Sequence, residues 1–264
     1  MITKKIHWVW LSGEEIPPFL KKCMETWQEI LPDYEVKCWT KDNFDVDSVA
    51  FVKEACNLKK WAFACDYIRA YALYHEGGIY LDSDVRVIRP FSQELLNSNF
   101  FIGMEIHKNY WDNVDFNKLL DETGKRRDSK LLDVPGIGLQ AAIIGSEKGN
   151  PVMKDVMDYY SSVHFADTNG NISFKATAPS IFALCAEKYG FRYFDKKQKL
   201  DGNMLILPSK VFPWNYKDIC DSTIAMHCGF GSWVDKKSFK KRVAEFMKNH
   251  KLTNPIYEFL KYKI

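Results

Sequence analysis

The chain has no apolar run approaching the roughly 20 residues that a membrane-spanning helix requires. The stretch Ile6 to Leu11 is too short for the core of a secretory signal, and no cleavage region follows it. Cysteine pairs at metal-binding spacing are missing as well. The 7 cysteines (Cys23, Cys38, Cys56, Cys65, Cys185, Cys220 and Cys228) are odd in number and scattered. That pattern argues against a zinc site or a disulfide frame and fits free thiols in a reducing cytoplasm. Charge of one sign is scarce too: 37 Lys and Arg against 34 Asp and Glu leave a net charge of +3. With a pI near 8.3, this excess is too mild to point to nucleic acid as a partner. No internal repeat, low-complexity tract or linker breaks the chain. The expectation is a cytoplasmic protein, free or peripheral at the cytoplasmic face of the membrane.

What remains is a chain of 264 residues, 46% hydrophobic, with ample material for a core. Aromatic residues make up 15% of it, including 8 Trp and 13 Tyr; such rings fill cores but also stack on bases and sugars. Lys5 to Leu11 reads as a buried opening strand. Pro17-Pro18 then starts a helix with Phe19, Cys23, Trp27 and Ile30 on one face. Tyr34 to Trp39 alternates as a second strand, and strand–helix–strand argues for a parallel α/β sheet. A helix is expected from about Lys60 to Glu76, with Trp61, Cys65, Ile68 and Ala72 supplying its core face and Gly77 capping it. Further on, Ser98 to Glu105 reads as a strand. His107 to Pro135 reads as a long excursion over the sheet. Ile137 to Ile144 is an apolar run, Pro151 to Val163 and Pro179 to Tyr189 are helices, and Ile224 to His227 is a late strand.

The most informative segment is Gly77-Gly78-Ile79-Tyr80-Leu81-Asp82-Ser83-Asp84. A helix stops at two glycines, a short apolar strand follows, and it delivers two carboxylates one residue apart. In an extended segment Asp82 and Asp84 point the same way. Two adjacent carboxylates repel unless a cation lies between them, and hard oxygen ligands suit Mg²⁺ or Mn²⁺. An isolated Asp-x-Asp is usually an exposed turn. Here Val85 to Ile88 resumes the apolar run directly behind the pair, and carboxylates are costly to bury unpaired. The expected site is therefore a divalent metal that holds a phosphorylated ligand. Asp66 and Arg69, three apart on the preceding helix, are neighbours. On spacing alone they read equally as a surface ion pair or as part of that site.

Three segments in this order resemble one known family: Ile6-His7-Trp8-Val9-Trp10, Phe63-Ala64-Cys65-Asp66-Tyr67-Ile68-Arg69, and Gly77 to Val85. Together with the late run from His227 to Trp233, they resemble the sugar-binding DxD glycosyltransferases of family 32. That family includes bacterial capsular and exopolysaccharide transferases, with the glucosylating domain of large clostridial toxins as a distant relative. The resemblance implies an α/β fold of the GT-A type, a single nucleotide-sugar-binding domain with a mostly parallel central sheet over residues 1–235. It also implies Mn²⁺ or Mg²⁺, a UDP-sugar donor, a saccharide acceptor, and transfer with retention of configuration. By the same resemblance the metal site is Asp82, Asp84 and His227: Asp84 is the direct ligand, Asp82 binds the metal partly through water or holds the donor ribose, and His227 is the third metal or diphosphate contact. Asp66, Arg69, Asp82, Asp84 and, near the anomeric carbon, Gln140 form the catalytic set. The donor falls against Val9, Trp10, Leu11, Asp66, Arg69, Tyr80, Leu81, Asp82 and Ser83, with Ser232 and Trp233 closing over it. Two positions depart from the family pattern. Cys65 stands where relatives often carry Ser, and Ala178 replaces the Gly of a Thr-Gly-Pro element.

Residues 236–264 change character. Phe239, Val243, Phe246 and Met247 form an apolar stripe among Lys240, Lys241, Arg242 and Lys248. This basic amphipathic helical tail reads either as packed on the domain or as docked on an anionic membrane surface, where a lipid-linked acceptor would be found. Two other functions fit the Asp pair without the resemblance. One is a metal-dependent phosphohydrolase of nucleotides or nucleotide sugars; the other is a non-catalytic nucleotide- or carbohydrate-binding protein.

Overall fold

A computed structural model describes residues 1–229. In chain order it contains β1 (Lys5–Val9), α1 (Pro18–Ile30), β2 (Glu35–Trp39), α2 (Ala50–Asn57), α3 (Trp61–Glu76), β3 (Gly78–Leu81), β4 (Val85–Val87) and α4 (Gln93–Leu96). These are followed by β5 (Phe100–Ile106), α5 (Phe116–Leu119), β6 (Ile137–Ser146), α6 (Pro151–Ser161), α7 (Ala178–Glu187), β7 (Gln198–Leu200), β8 (Met204–Leu207) and β9 (Ala225–His227). The expected strands and long helices are present within a few residues of their predicted limits. The short elements α2, α4, α5, β7 and β8 have no counterpart in the sequence reading. The predicted closing residues Ser232 and Trp233, and the basic tail, lie outside the described residues.

Seven strands form one mixed sheet in the order β2-β1-β3-β6-β5-β8-β7. β1 runs parallel to β2 and β3, and β5 parallel to β8, while β6 and β7 run against their neighbours. The sheet is thus mostly parallel in strand direction, as expected. The carboxyl ends of β1, β3, β5 and β8 share one edge, which is where open α/β sheets bind ligands. Each face carries its own core. The larger joins α2, α3, α6 and α7 through Phe51, Ile68, Tyr160 and Phe182, packed on Phe100 and Ile102 of β5. The second packs α1, α4 and β4 on the opposite face through Trp27, Leu95 and Val85, against Trp8 and Phe101 of the sheet.

Local chemistry explains the elements that place the site. Pro18 presets the first turn of α1. Leu20, Cys23 and Trp27 are its buried face, with Leu20 taking the place predicted for Phe19. Trp27 Nε1 donates to the Val85 carbonyl at 2.8 Å, tying α1 to β4. The helix α3 is buried more widely than its predicted stripe: Ala64, Asp66, Tyr67, Ile68, Arg69, Ala70, Ala72 and Leu73 are all enclosed, whereas Trp61 and Cys65 are half-buried. It ends at Gly77, whose φ of +68° is accessible to glycine at little cost and whose extended ψ turns the chain into β3. At Gly78, φ is +110° and an added Cβ would lie 2.5 Å from the Lys5 carbonyl oxygen. The two glycines let β3 start against β1 immediately after the helix.

One expectation fails here. Asp82, Ser83 and Asp84 are not extended, and β4 does not continue β3. The Val85 amide donates to the Asp82 carbonyl at 2.9 Å, closing a turn across the acidic triplet. β4 then leaves the main sheet and pairs antiparallel with β9, Val85 opposite His227. The carboxylates converge because the chain turns at them, not because side chains alternate along a strand.

Candidate active site

Asp82 follows the carboxyl end of β3, and its amide donates to the Ala142 carbonyl at 2.9 Å. Its Oδ1 accepts from the Tyr80 hydroxyl at 2.7 Å and lies 3.5 Å from an Arg69 nitrogen. The same nitrogen pairs with Asp66 Oδ1 at 3.0 Å. Arg69 also donates to the Ala141 carbonyl at 2.6 Å, and its guanidinium lies over the Tyr80 ring at 4.9 Å. The Asp66–Arg69 pair is therefore no surface ion pair; the two residues are 8% and 5% exposed.

An irregularity in β6 makes the Arg69 contact available. Between two paired positions the register moves from Ile102 to Met104 along β5 but from Ile144 back to Leu139 along β6. The extra residues of β6 leave the β5 ladder there and free the Ala141 carbonyl for Arg69, while the Asp82 amide bond to Ala142 simply continues the β3–β6 register. Bulges recur beside active sites for this reason.

Burial pushes the Asp66 carboxyl up to about 7; Arg69 opposes the rise and Asp82 adds to it. Asp82 and Asp66 together hold Arg69 protonated. The Tyr80 phenol is raised by burial and by Asp82, so it stays a donor.

On the other flank, Asp84 Oδ1 lies 3.2 Å from His227 Nε2. Pairing of β4 with β9 brings the two together. Burial alone would lower the imidazole, but Asp84 raises it to about 9, helped by Asp82 and Glu105. His227 Nδ1 is buried without a hydrogen-bond partner among the described residues.

Asp82, Asp84 and His227 each offer one ligand atom, and the three atoms lie within 4.8 Å of one another. Two carboxylates and one imidazole fit Mn²⁺, or Mg²⁺ with more of its ligands supplied by water and phosphate. The imidazolium occupies the electrostatic role that a cation would take between these carboxylates. The residues present fit the group.

The remaining predicted residues divide by what their side chains can reach. Val9, Leu11 and Leu81 are buried in the two cores, so any ligand contact there is made by main chain. Trp10 is half-buried at the end of β1, its Nε1 donating to the Glu14 carbonyl at 2.8 Å. Ser83 is half-buried in the acidic turn. Gln140 is fully buried. Its Nε2 donates to the Phe212 carbonyl at 2.7 Å, and its Oε1 has no partner among the described residues. Ala178 opens α7, and Gly138 packs so closely on Pro179 that a Cβ would approach to 2.7 Å.

Sequence reasoning missed the Ala141 carbonyl, because a bulge has no residue signature. It also missed Trp214, whose ring lies 4.3 Å from that of His227 between centroids. Glu105 was passed over although it repeats the signal used for Asp82, a carboxylate at the end of an apolar strand.

No curated protein sequence matches the chain. Solved structures similar in outline include three glycosyltransferases. The PaToxG glycosyltransferase shares 18% identity over 71% of this chain and 69% of its own, with a TM-score of 0.44. A glycosyltransferase involved in glycosylation of the major capsid of PBCV-1 shares 11% identity over 90% and 98%, with a TM-score of 0.43. The galactosyltransferase LgtC shares 12% identity over 96% and 99%, with a TM-score of 0.44. At these values the likeness carries no inference; the family comparison does. The sequence model for "Capsular polysaccharide synthesis protein" matches residues 1–199, and the chain belongs to that family.

Proposed function

We propose that this protein is a metal-dependent glycosyltransferase that moves a sugar from a nucleotide-sugar donor, a UDP-sugar, to a saccharide acceptor in capsule synthesis. The observation that carries the reading is the convergence of Asp82, Asp84 and His227 beside the buried Asp66–Arg69 pair. Such a set suits a ligand with a charged diphosphate at one end and sugar hydroxyls at the other.

When bound, a divalent cation supplies Lewis-acid stabilisation of the departing nucleoside diphosphate. Asp84 and His227 would hold it directly, with Asp82 as the third ligand. Tyr80 and Arg69 fix the Asp82 carboxylate, so little reorganisation is left for the moment of reaction. The same Arg69 orients Asp66 toward the donor's sugar hydroxyls. Trp10 offers a ring face for the base. Ser232 and Trp233 close over the donor in this reading and exclude water, which favours transfer over hydrolysis. Transfer retains the anomeric configuration.

The test is a screen of nucleotide sugars with Mn²⁺ and saccharide acceptors, reading nucleotide release and glycoside formation. Metal-stimulated release coupled to a new glycosidic bond supports the proposal. Release of inorganic phosphate without transfer would instead identify a phosphohydrolase, and tight UDP binding without turnover a binding protein.

A further inference from the structure

On the side of the Asp cluster away from Asp66 and Arg69, an aromatic and polar group has no part in the chemistry above. Glu105 and His107 stand at and just beyond the carboxyl end of β5, on the sheet edge that also carries Asp82. Glu105 Oε1 and His107 Nε2 are 3.0 Å apart, and the Glu105 side chain is 11% exposed. Trp214, in the segment after β8, sets its ring edge-on to His107 at 5.1 Å and tilted against His227 at 4.3 Å. Gly229 lies so close to this ring that a Cβ would come within 2.6 Å of it.

Trp214 is nevertheless 36% exposed as a residue, and Tyr110, its ring 6.1 Å from that of His107, is 61% exposed. A contact row therefore runs from Asp66 through Arg69, Asp82, Asp84 and His227 to Trp214 and His107. Its first part is buried and charged, and its last part presents aromatic faces with a carboxylate and an imidazole beside them.

We propose that Trp214, Glu105, His107 and Tyr110 form the subsite for the acceptor sugar, placed across the metal ligands from the donor. An aromatic face with a few convergent polar groups is the surface a sugar requires. Its apolar C–H face packs on the indole while its hydroxyls bond to the carboxylate and imidazole. Glu105 fixes the imidazole orientation, so the polar pair is set before the sugar arrives. This assignment rests on the transferase reading above.

The experiment uses saturation-transfer NMR on the full chain with Mg²⁺ and UDP. The probes are methyl glycosides of glucose, galactose, rhamnose and N-acetylglucosamine. Wild type should transfer saturation to the ring protons of at least one glycoside. Trp214→Ala should bind that glycoside about tenfold more weakly, Trp214→Phe should restore most of the binding, and Glu105→Gln should weaken it by a smaller factor. Glycoside binding of wild-type strength in both Trp214→Ala and Glu105→Gln would overturn the subsite. So would UDP binding with no bound glycoside in wild type. Absence of UDP binding by wild type would overturn the donor reading itself, and the subsite with it.

Discussion

The two flanks of the candidate site are built differently. On the α3–β3 flank, Asp66, Arg69, Tyr80 and Asp82 are linked to one another and to the bulged strand β6 by buried and partly buried contacts of 2.6 to 3.5 Å. On the β4–β9 flank, Asp84 meets the His227 imidazolium across two three-residue strands. On the first flank a permanent cation, Arg69, is shared by two carboxylates; on the second a titratable imidazole stands where a metal ion would carry the charge. The difference teaches which half is scaffold and which half responds to ligand.

The largest effect should come from breaking the scaffold flank. Arg69→Leu leaves the buried Asp66 carboxyl and the half-buried Asp82 carboxylate without their shared cation and should cost about 3–5 kcal/mol of folding stability, measured by denaturant titration. A loss below about 1 kcal/mol would mean the flank is not held as described. Tyr80→Phe removes one hydrogen bond to a charged acceptor and should cost about 1.5–3 kcal/mol in the same assay.

The responsive flank should show itself through pH. His227 is protonated below about 9, and an imidazolium cannot ligate a metal. Mn²⁺ affinity should therefore rise as pH approaches 9 from below, by about tenfold per unit at most, as followed by the EPR signal of free Mn²⁺. His227→Gln should flatten that dependence.

A smaller effect comes from His7, away from both flanks. Its Nδ1 accepts from Trp39 Nε1 at 3.1 Å, so Nε2 carries the proton and donates to the Gly77 carbonyl at 2.8 Å. Burial lowers its pKa below the ordinary 6.5. The unfolded chain then binds the extra proton, and this contribution to stability is present above 6.5 and lost as pH falls below it. The unfolding midpoint should drop on acidification, and His7→Gln should reduce the slope.

These contrasts also explain what could be read in the sequence. The helix α3, the double glycine and the apolar run of β3 are local signals, and they carried Asp66, Arg69, Asp82 and Asp84 with them. The turn at Asp82 to Asp84 could not be separated from a continuing strand, because Val85 to Ile88 has the composition of one; only the pairing of β4 with β9 decides it. The β6 bulge depends on register with β5, and the exposure of Trp214 depends on packing around His227. Both are properties of contacts between distant segments.

The central claim is that Asp82, Asp84 and His227 hold the cation that drives nucleotide departure. The direct test is Mn²⁺-stimulated UDP release from the donor found by the nucleotide-sugar screen, compared between wild type and Asp84→Ala. A loss of at least ~100-fold, about 2.7 kcal/mol, is the predicted result. Wild-type release by Asp84→Ala would contradict the account.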